Sequence, residues 1–356
     1  MAKFHSIKVA DIYKETKDCS VITFDIPKEL QAEFQYKQGQ HLTMRATIDG
    51  NEVRRNYSLC SCSMDNKWQV AVKKINGGLF STFVNDTLKK GDSLDIIPPH
   101  GTFFTETSSQ AKNYIAFAAG SGITPILSII KTHLAAEPNS TFKLFYLNRT
   151  VKSIIFKEEI EQLKNKYFGR FEIFHFLTKE HRNIELLNGR FTKEKIQLLT
   201  DKIIDIPSTD ECFICGPEEM IYLLRDELTA AGLPKEKIHF ELFNTGISEE
   251  DKQRINKIVE KKVEGTEVTI IDGGKEFHFT MGEDFDNILD GALAAGADLP
   301  FACKGGVCST CRCKVVDGTV EMKLNYSLEE DELAKNYVLS CQAVPTSKKV
   351  VVDFGL

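Results

Sequence analysis

Hydrophobic positions change rhythm twice along the chain, and the changes mark its domains. Up to about residue 107 they fall in short runs, at 21–24, 41–44, 57–60, 68–72 and 94–97, broken by turn chemistry such as Asp49-Gly50-Asn51 and Lys90-Gly91-Asp92. Short runs punctuated by Gly, Asn and Asp read as antiparallel strands, and without a long helical period they predict a barrel of about six strands. From 112 to 243, continuous apolar runs at 114–118, 142–146, 171–176, 212–214 and 238–242 alternate with helical periodicity at 154–167 and 218–231. Strands apolar on both faces, alternating with helices, predict a parallel sheet covered on both sides, a nucleotide-binding type of architecture.

Residues 244–265 are charged and poor in large apolar side chains, with Ser248-Glu249-Glu250-Asp251-Lys252-Gln253-Arg254 at their heart. That composition reads as a linker with room for a short solvated helix. Beyond it, Asp272-Gly273-Gly274 joins 267–271 to 275–279 as a hairpin, 287–295 has a helical period, and a cysteine-rich loop and further strands follow. No internal repeat interrupts this order.

A chain of 356 residues exceeds what one hydrophobic core normally organises, in agreement with several domains. A net charge of −6 argues against a nucleic-acid surface, while acidic patches suit a basic protein partner. The start has no apolar leader, and the longest apolar stretch, 114–130, is broken by Gly120, Ser121, Gly122, Thr124 and Pro125. A cytoplasmic protein without a membrane span is expected.

Ten cysteines without a secretory signal point to metal or redox chemistry rather than to disulfides. Cys19, Cys60, Cys62, Cys212 and Cys215 are scattered, whereas Cys303, Cys308, Cys311, Cys313 and Cys341 crowd the last 54 residues. Cys303-x4-Cys308-x2-Cys311, with Cys341 after 29 further residues, is the plant-type spacing for a [2Fe–2S] cluster. Gly305-Gly306 lets the backbone pass close to such a cluster and aim N–H groups at its sulfurs. Structural zinc also takes four cysteines, but usually as two closely spaced pairs of equal weight. Cys313 shares the face of Cys311 if that stretch is a strand, and reads as a buried bystander. All-cysteine ligation implies a low potential, about −400 mV, so electrons should leave through this site toward a strong acceptor.

The segment Leu299-Pro300-Phe301-Ala302-Cys303-Lys304-Gly305-Gly306-Val307-Cys308-Ser309-Thr310-Cys311 resembles a ferredoxin module fused behind a ferredoxin–NADP reductase-like unit. Arg55-Asn56-Tyr57-Ser58-Leu59-Cys60-Ser61 matches that unit's R-x-Y-S-x-x-S flavin motif, and Gly77-Gly78-Leu79-Phe80-Ser81-Thr82 its second flavin motif. Pro99-His100-Gly101-Thr102-Phe103 resembles its end-of-barrel P-x-G-x-F, Gly120-Ser121-Gly122-Ile123-Thr124-Pro125 its nucleotide loop, Cys215-Gly216-Pro217-Glu218-Glu219-Met220 its C-G-P-x-x-M turn, and Glu241-x-Phe243 its E-x-F. Alone, the first reads sooner as a half-buried strand with a surface arginine, the nucleotide loop as a tight strand–helix turn, and Cys215 as a packing residue. Their order along one chain carries the reading. Over essentially its whole length the chain resembles the ferredoxin reductase-like flavoproteins with FAD and a C-terminal [2Fe–2S] domain, of the type that serves ring-1,2-phenylacetyl-CoA epoxidase as reductase component.

The resemblance implies a multidomain fold: an antiparallel β-barrel flavin domain over 1–107, an α/β parallel-sheet nicotinamide domain over 108–246, a linker at 247–262 and a β-grasp (α+β) ferredoxin domain over 263–356. It implies that Arg55 neutralises pyrophosphate, Tyr57 lies against the isoalloxazine and Ser58 bonds the flavin N5 edge. Val70 and Val72 would line that edge through their backbone. Gly78, Ser81 and Thr82 would hold phosphate at a helix starting at Ser81. Gly120, Gly122, Thr124 and Pro125 would take the nicotinamide dinucleotide's pyrophosphate, with Cys215, Gly216 and Pro217 facing the nicotinamide and Phe243 covering the flavin. Leu147-Asn148-Arg149 lacks the acidic residue of an NAD site, and with Lys179 it favours NADPH, NADH being admitted because lysine gives up bidentate geometry. Hydride would pass to FAD and electrons onward singly through Cys303, Cys308, Cys311 and Cys341 to a di-iron epoxidase, another oxygenase or a desaturase. A general diaphorase and a cluster-based redox carrier or sensor are the rival functions.

Overall fold

Strand β1 (His5–Thr16) opens the chain with a strict alternation, His5, Ile7 and Val9 buried and Ser6 and Lys8 exposed, a pleated strand with one face on a core. It pairs antiparallel with β2 (Cys19–Asp25). Then come β3 (His41–Ile48) and β4 (Asn51–Ser58), joined at Asp49-Gly50, whose φ values of 52° and 79° lie in the left-handed region a tight hairpin uses. β5 (Trp68–Lys73), helix α1 (Leu79–Asp86) and β6 (Ser93–His100) complete a six-stranded sheet of order β4-β3-β6-β1-β2-β5. A bridge from Leu59 to Val70 brings the continuation of β4 onto β5, so the two edges of the sheet meet. Ile7, Val9, Ile22, Leu42, Val70 and Val72 fill the interior.

The second sheet is wholly parallel. β7 (Asn113–Ala119), α2 (Ile123–Ala136), β8 (Thr141–Asn148), α3 (Lys157–Lys166), β9 (Phe171–Leu177), α4 (Lys193–Lys202), β10 (Glu211–Gly216), α5 (Glu218–Ala230) and β11 (Ile238–Leu242) alternate, and the strands lie in the order β11-β10-β7-β8-β9. Chain order runs outward from β7 on one side and from β10 on the other. Between those two strands is the switch point, where α/β sheets bind ligands beyond the strand ends. Ala71, Cys60 and Phe103 of the first sheet's region share one buried cluster with Ile126, Ile130 and Phe213 of the second, so the two sheets form a single compact unit, residues 5–53 and 57–243.

The structure, a computed structural model, describes residues 4–243 and 249–355, so the first two residues of the expected linker, 247 and 248, lie outside the described residues. Helix α6 (Glu249–Val259) occupies most of the rest of that charged stretch. The C-terminal unit then holds β12 (Glu267–Asp272), β13 (Lys275–Thr280), α7 (Ile288–Ala294), β14 (Arg312–Asp317), β15 (Val320–Met322), α8 (Glu330–Ala334), β16 (Tyr337–Leu339), β17 (Ala343–Pro345) and β18 (Lys349–Asp353). Its mixed sheet has the order β13-β12-β18-β14-β16, with β12 and β18 parallel and β15–β17 a separate pair. Asn287 caps α7, its side chain accepting from the Asp290 amide. Val268, Ile270, Ile288, Leu289, Val350 and Val352 make the core under the cysteine loop.

Candidate functional site

β4 carries three of the expected flavin residues. Arg55 is exposed, its guanidinium bonded to the Arg54 carbonyl at 2.7 Å. Tyr57 is half-buried, its ring 5.7 Å from Phe80 on α1. Ser58 is buried and donates to Glu241 Oε2 at 3.1 Å. α1 begins at Leu79, two residues before the expected start, with Gly78 as its cap; the Thr82 amide is already spent on the Gly78 carbonyl at 3.0 Å. Ser81 Oγ turns back, accepting from the Ile75 amide at 3.1 Å and donating to the Gly78 carbonyl at 3.3 Å. The earlier amides of the turn are those a helix leaves for an anion. Val70 and Val72 point their side chains into the barrel core, and the Val72 carbonyl accepts from Asn85 Nδ2 at 2.9 Å.

Glu241 links this strand to the second sheet. It is the register partner of Cys215, β11 beside β10. Burial pushes the Glu241 carboxyl up to about 8, against the opposing pull of the Ser58 hydroxyl, so at neutral pH it holds a proton. Burial, with Glu241 adding, pushes the Cys215 thiol far above its usual range, which makes it a neutral wall and not a nucleophile. His41 Nδ1 lies 3.8 Å from Glu241 Oε1. Sequence reasoning missed His41; only its position at the start of a strand marked it.

The nucleotide loop and the C-G-P turn follow β7 and β10, the adjacent strands of the switch point. Gly120 has φ +54°, and a Cβ on Gly122 would stand 2.2 Å from the Cys215 carbonyl oxygen, so only glycine lets the two segments touch. Thr124 Oγ1 donates to the Ser121 carbonyl at 3.0 Å, and Thr124 and Pro125 are buried in the first turn of α2. Gly216 closes β10 and Pro217 caps α5. Arg149 and Lys179 stand exposed past the ends of β8 and β9, tied by the Lys179 amide donating to the Arg149 carbonyl at 2.8 Å. Beside them Asn148 is buried, with no geometric hydrogen-bond partner for Nδ2 among the described residues. Phe243 follows β11 and is 40 % exposed.

Cys303, Cys308 and Cys311 lie in the irregular loop between α7 and β14, and Cys341 follows β16. The thiols neighbour one another in two pairs, Cys303 with Cys308 and Cys311 with Cys341. The pairs are near enough that Cys308 is felt at Cys311 and Cys303 at Cys341. Among the described residues no group of three or more His, Cys, Asp or Glu is set to hold one metal ion. Two sulfur pairs suit two irons instead. The Gly305 amide donates to Cys303 Sγ at 3.3 Å, and Gln342 Nε2 to Cys341 Sγ at 3.5 Å. The Cys308 thiol, with the amides of Gly305, Val307 and Cys308 outweighing burial, pulls Cys303 down to about 5. A loop that aims the Gly305 amide at Cys303 and the Gln342 amide group at Cys341, and that leaves the buried Ser340 Oγ without a partner among the described residues, fits an anionic sulfur cluster.

Residues 6–105 match the model of an oxidoreductase FAD-binding domain, 117–226 that of an oxidoreductase NAD-binding domain and 270–346 that of a 2Fe-2S iron-sulfur cluster binding domain. Fold and site define an NAD(P)H-dependent oxidoreductase with FAD and a [2Fe–2S] cluster, and structural zinc is set aside. The chain is 44 % identical over 355 residues to a component of the 1,2-phenylacetyl-CoA epoxidase of Escherichia coli K12, covering 99 % of this chain and 98 % of that protein. It is 31 % identical to the ferredoxin reductase component of 3-ketosteroid-9-alpha-monooxygenase of Rhodococcus rhodochrous, over 98 % of this chain and 96 % of that one. The chain belongs to this family of ferredoxin reductase components. It shares its fold with phthalate dioxygenase reductase, at TM-score 0.60 and 23 % identity, over 99 % of this chain and 98 % of that one. Among the described residues no helix is long and apolar enough to cross a membrane.

Proposed function

We propose that the protein is the NADPH-preferring reductase component of a di-iron epoxidase acting on a CoA-linked aromatic ring. The observation that carries this is the full-length likeness to a phenylacetyl-CoA epoxidase component, in a chain that matches FAD-binding, NAD-binding and cluster-binding domain models one after another. Bound FAD accepts a hydride and returns electrons singly, which the cluster requires. The residues do the placing. Arg55 and the first turn of α1 hold pyrophosphate, Tyr57 packs on the flavin ring, and Ser58 bonds its N5 edge. Gly120, Gly122 and the α2 start take the nucleotide pyrophosphate, and Cys215, Gly216 and Pro217 form a neutral wall that presses the nicotinamide toward the flavin. Arg149 and Lys179 bind the 2′-phosphate, and Cys303, Cys308, Cys311 and Cys341 ligate the irons.

The test is anaerobic stopped-flow mixing with NADPH, then reconstitution with a phenylacetyl-CoA epoxidase di-iron component. Flavin bleaching with or before cluster reduction, and NADPH consumption matched to epoxide, are expected. A cluster that stays oxidised defeats the electron route. Transfer to ferricyanide without epoxide formation would return the protein to the general diaphorases.

A further inference from the structure

Resting on the reading of Gly120, Gly122 and the α2 start as the nucleotide's pyrophosphate site, we propose that Tyr146 is a positioning residue of that site: its buried hydroxyl pins the Gly120 carbonyl inward and so turns the Ser121 N–H outward, toward the pyrophosphate. Tyr146 Oη lies 2.9 Å from the Gly120 carbonyl oxygen and 3.4 Å from that of Ile155. A phenol has one hydrogen to give, and the shorter contact takes it. Burial pushes the Tyr146 phenol far above its usual range, so the donor persists at every working pH.

The pleat of β8 puts the hydroxyl there. Phe142, Leu144 and Tyr146 alternate onto one face and share a buried cluster with Ile123, Ile126 and Ile155. In the register of β7 with β8, Tyr146 pairs with Ala118, two residues before Gly120. A methyl group as neighbour leaves the phenol ring room to reach past the end of β7. Tyr146 is fully buried, whereas Gly120 and Ser121 are half-buried.

Gly120 has φ +54°, and a glycine peptide turns either way with little steric penalty, so its orientation needs an outside hold. The fold supplies two. The Gly120 carbonyl has two lone pairs: the Ile123 amide donates to one from within the turn, and Tyr146 donates to the other from beneath it. That carbonyl and the Ser121 N–H belong to one trans peptide plane and point opposite ways. Ser121 stands in the short turn Gly120–Gly122 that runs straight into α2, where the first amides of a helix have no intrahelical acceptor. With the carbonyl held in, the amide faces the space beyond β7, where an anion is bound at a helix start. Tyr146 itself touches no nucleotide.

Anaerobic stopped-flow bleaching of the holoenzyme's flavin, followed against NADPH concentration, reads an apparent dissociation constant and a limiting rate separately. In Tyr146→Phe the constant should rise roughly three- to tenfold, the worth of one neutral hydrogen bond, with the limiting rate kept within roughly twofold. NADH should show the same rise, because it carries the same pyrophosphate. Reduced nicotinamide mononucleotide, which has none, should bleach both proteins at one second-order rate. Tyr114→Phe removes another buried hydroxyl of the same sheet, at the start of β7, and should leave the NADPH constant unchanged. An unchanged constant in FAD-replete Tyr146→Phe, or an equal loss with the mononucleotide, overturns the proposal. In the unsubstituted protein NADP+ should slow hydrogen exchange at the Ser121 amide; exchange unmoved by bound NADP+ overturns it even if Tyr146→Phe fails to fold. A holoenzyme that NADPH neither binds nor bleaches overturns the functional reading instead.

Discussion

The Cys215 carbonyl sits directly behind Gly122, so close that a Cβ at 122 would stand 2.2 Å from its oxygen. Two loops 93 positions apart in the chain therefore meet by backbone contact alone, at the wall proposed above for the nicotinamide. Gly122→Ala must push them apart, at the about 1–3 kcal/mol that overpacking costs. The expected result is NADPH-dependent flavin bleaching slowed roughly ten- to hundredfold, with FAD content retained. Bleaching at the unsubstituted rate would show that the loop yields and that its spacing does not position the nicotinamide.

The parallel sheet was the most legible part of the sequence, because strands buried on both faces read as unbroken apolar runs; β11 falls on the predicted residues, 238–242. The four-cysteine spacing was legible for a different reason, being fixed by the reach of a short loop around one centre. β1 escaped notice because only its first half alternates strictly and five of its twelve residues are exposed, so its period of two competes with the look of a surface segment. The contact of Ser58 with Glu241 joins residues 183 apart, and that of His41 with His100 residues 59 apart. Neither has a local signature; only the register of β3, β4, β6 and β11 creates them.

A buried network ties the two sheets' region together at Glu137. Its carboxylate accepts from Tyr114 Oη at 3.0 Å on both oxygens, from the Ser108 amide at 2.8 Å, and lies 2.8 Å from His133 Nδ1. Glu137→Ala should cost about 3–5 kcal/mol in urea unfolding, and Glu137→Gln less. Burial alone would raise the Glu137 pKa, but bonds from Ser140, His133 and Ser108 outweigh it and hold it below 4.5. A carboxyl lowered by folding lends stability above its ordinary value and loses it as pH falls through the folded one. His133, lowered by burial, also loses stability as pH falls from 6.5. Melting of the unsubstituted protein should therefore drop in acid, and more steeply than that of Glu137→Gln.

Arg149 and Lys179 reach the solvent from neighbouring strand ends, and their backbones are bonded to each other. If they bind a 2′-phosphate, reversing one charge penalises only the cofactor that carries it. Lys179→Glu should raise KM for NADPH roughly tenfold or more, from the about 1.5–3 kcal/mol of a charged hydrogen bond, and leave NADH turnover nearly unchanged. Equal loss with both cofactors would remove these residues from phosphate recognition.

Cys313 tests whether position or mere thiol content makes a ligand. It lies two residues past Cys311 on β14, wholly buried, paired across the ladder with Val338, its thiol pushed up by burial with Cys341 adding. The Gly305 amide that donates to Cys303 has no counterpart at Cys313 among the described residues. Cys313→Ala should keep iron content and the cluster's absorption, whereas Cys341→Ala, breaking the inner sulfur pair, should lose both. Ser340→Ala should keep the iron yet lower the cluster's potential, because hydrogen bonds to the sulfurs stabilise the reduced, more negative state. Flavin bleaching by NADPH should persist in Cys341→Ala while electron delivery beyond the flavin fails. That outcome separates the cluster's role as exit from any role in hydride transfer, which bleaching lost together with the iron would contradict.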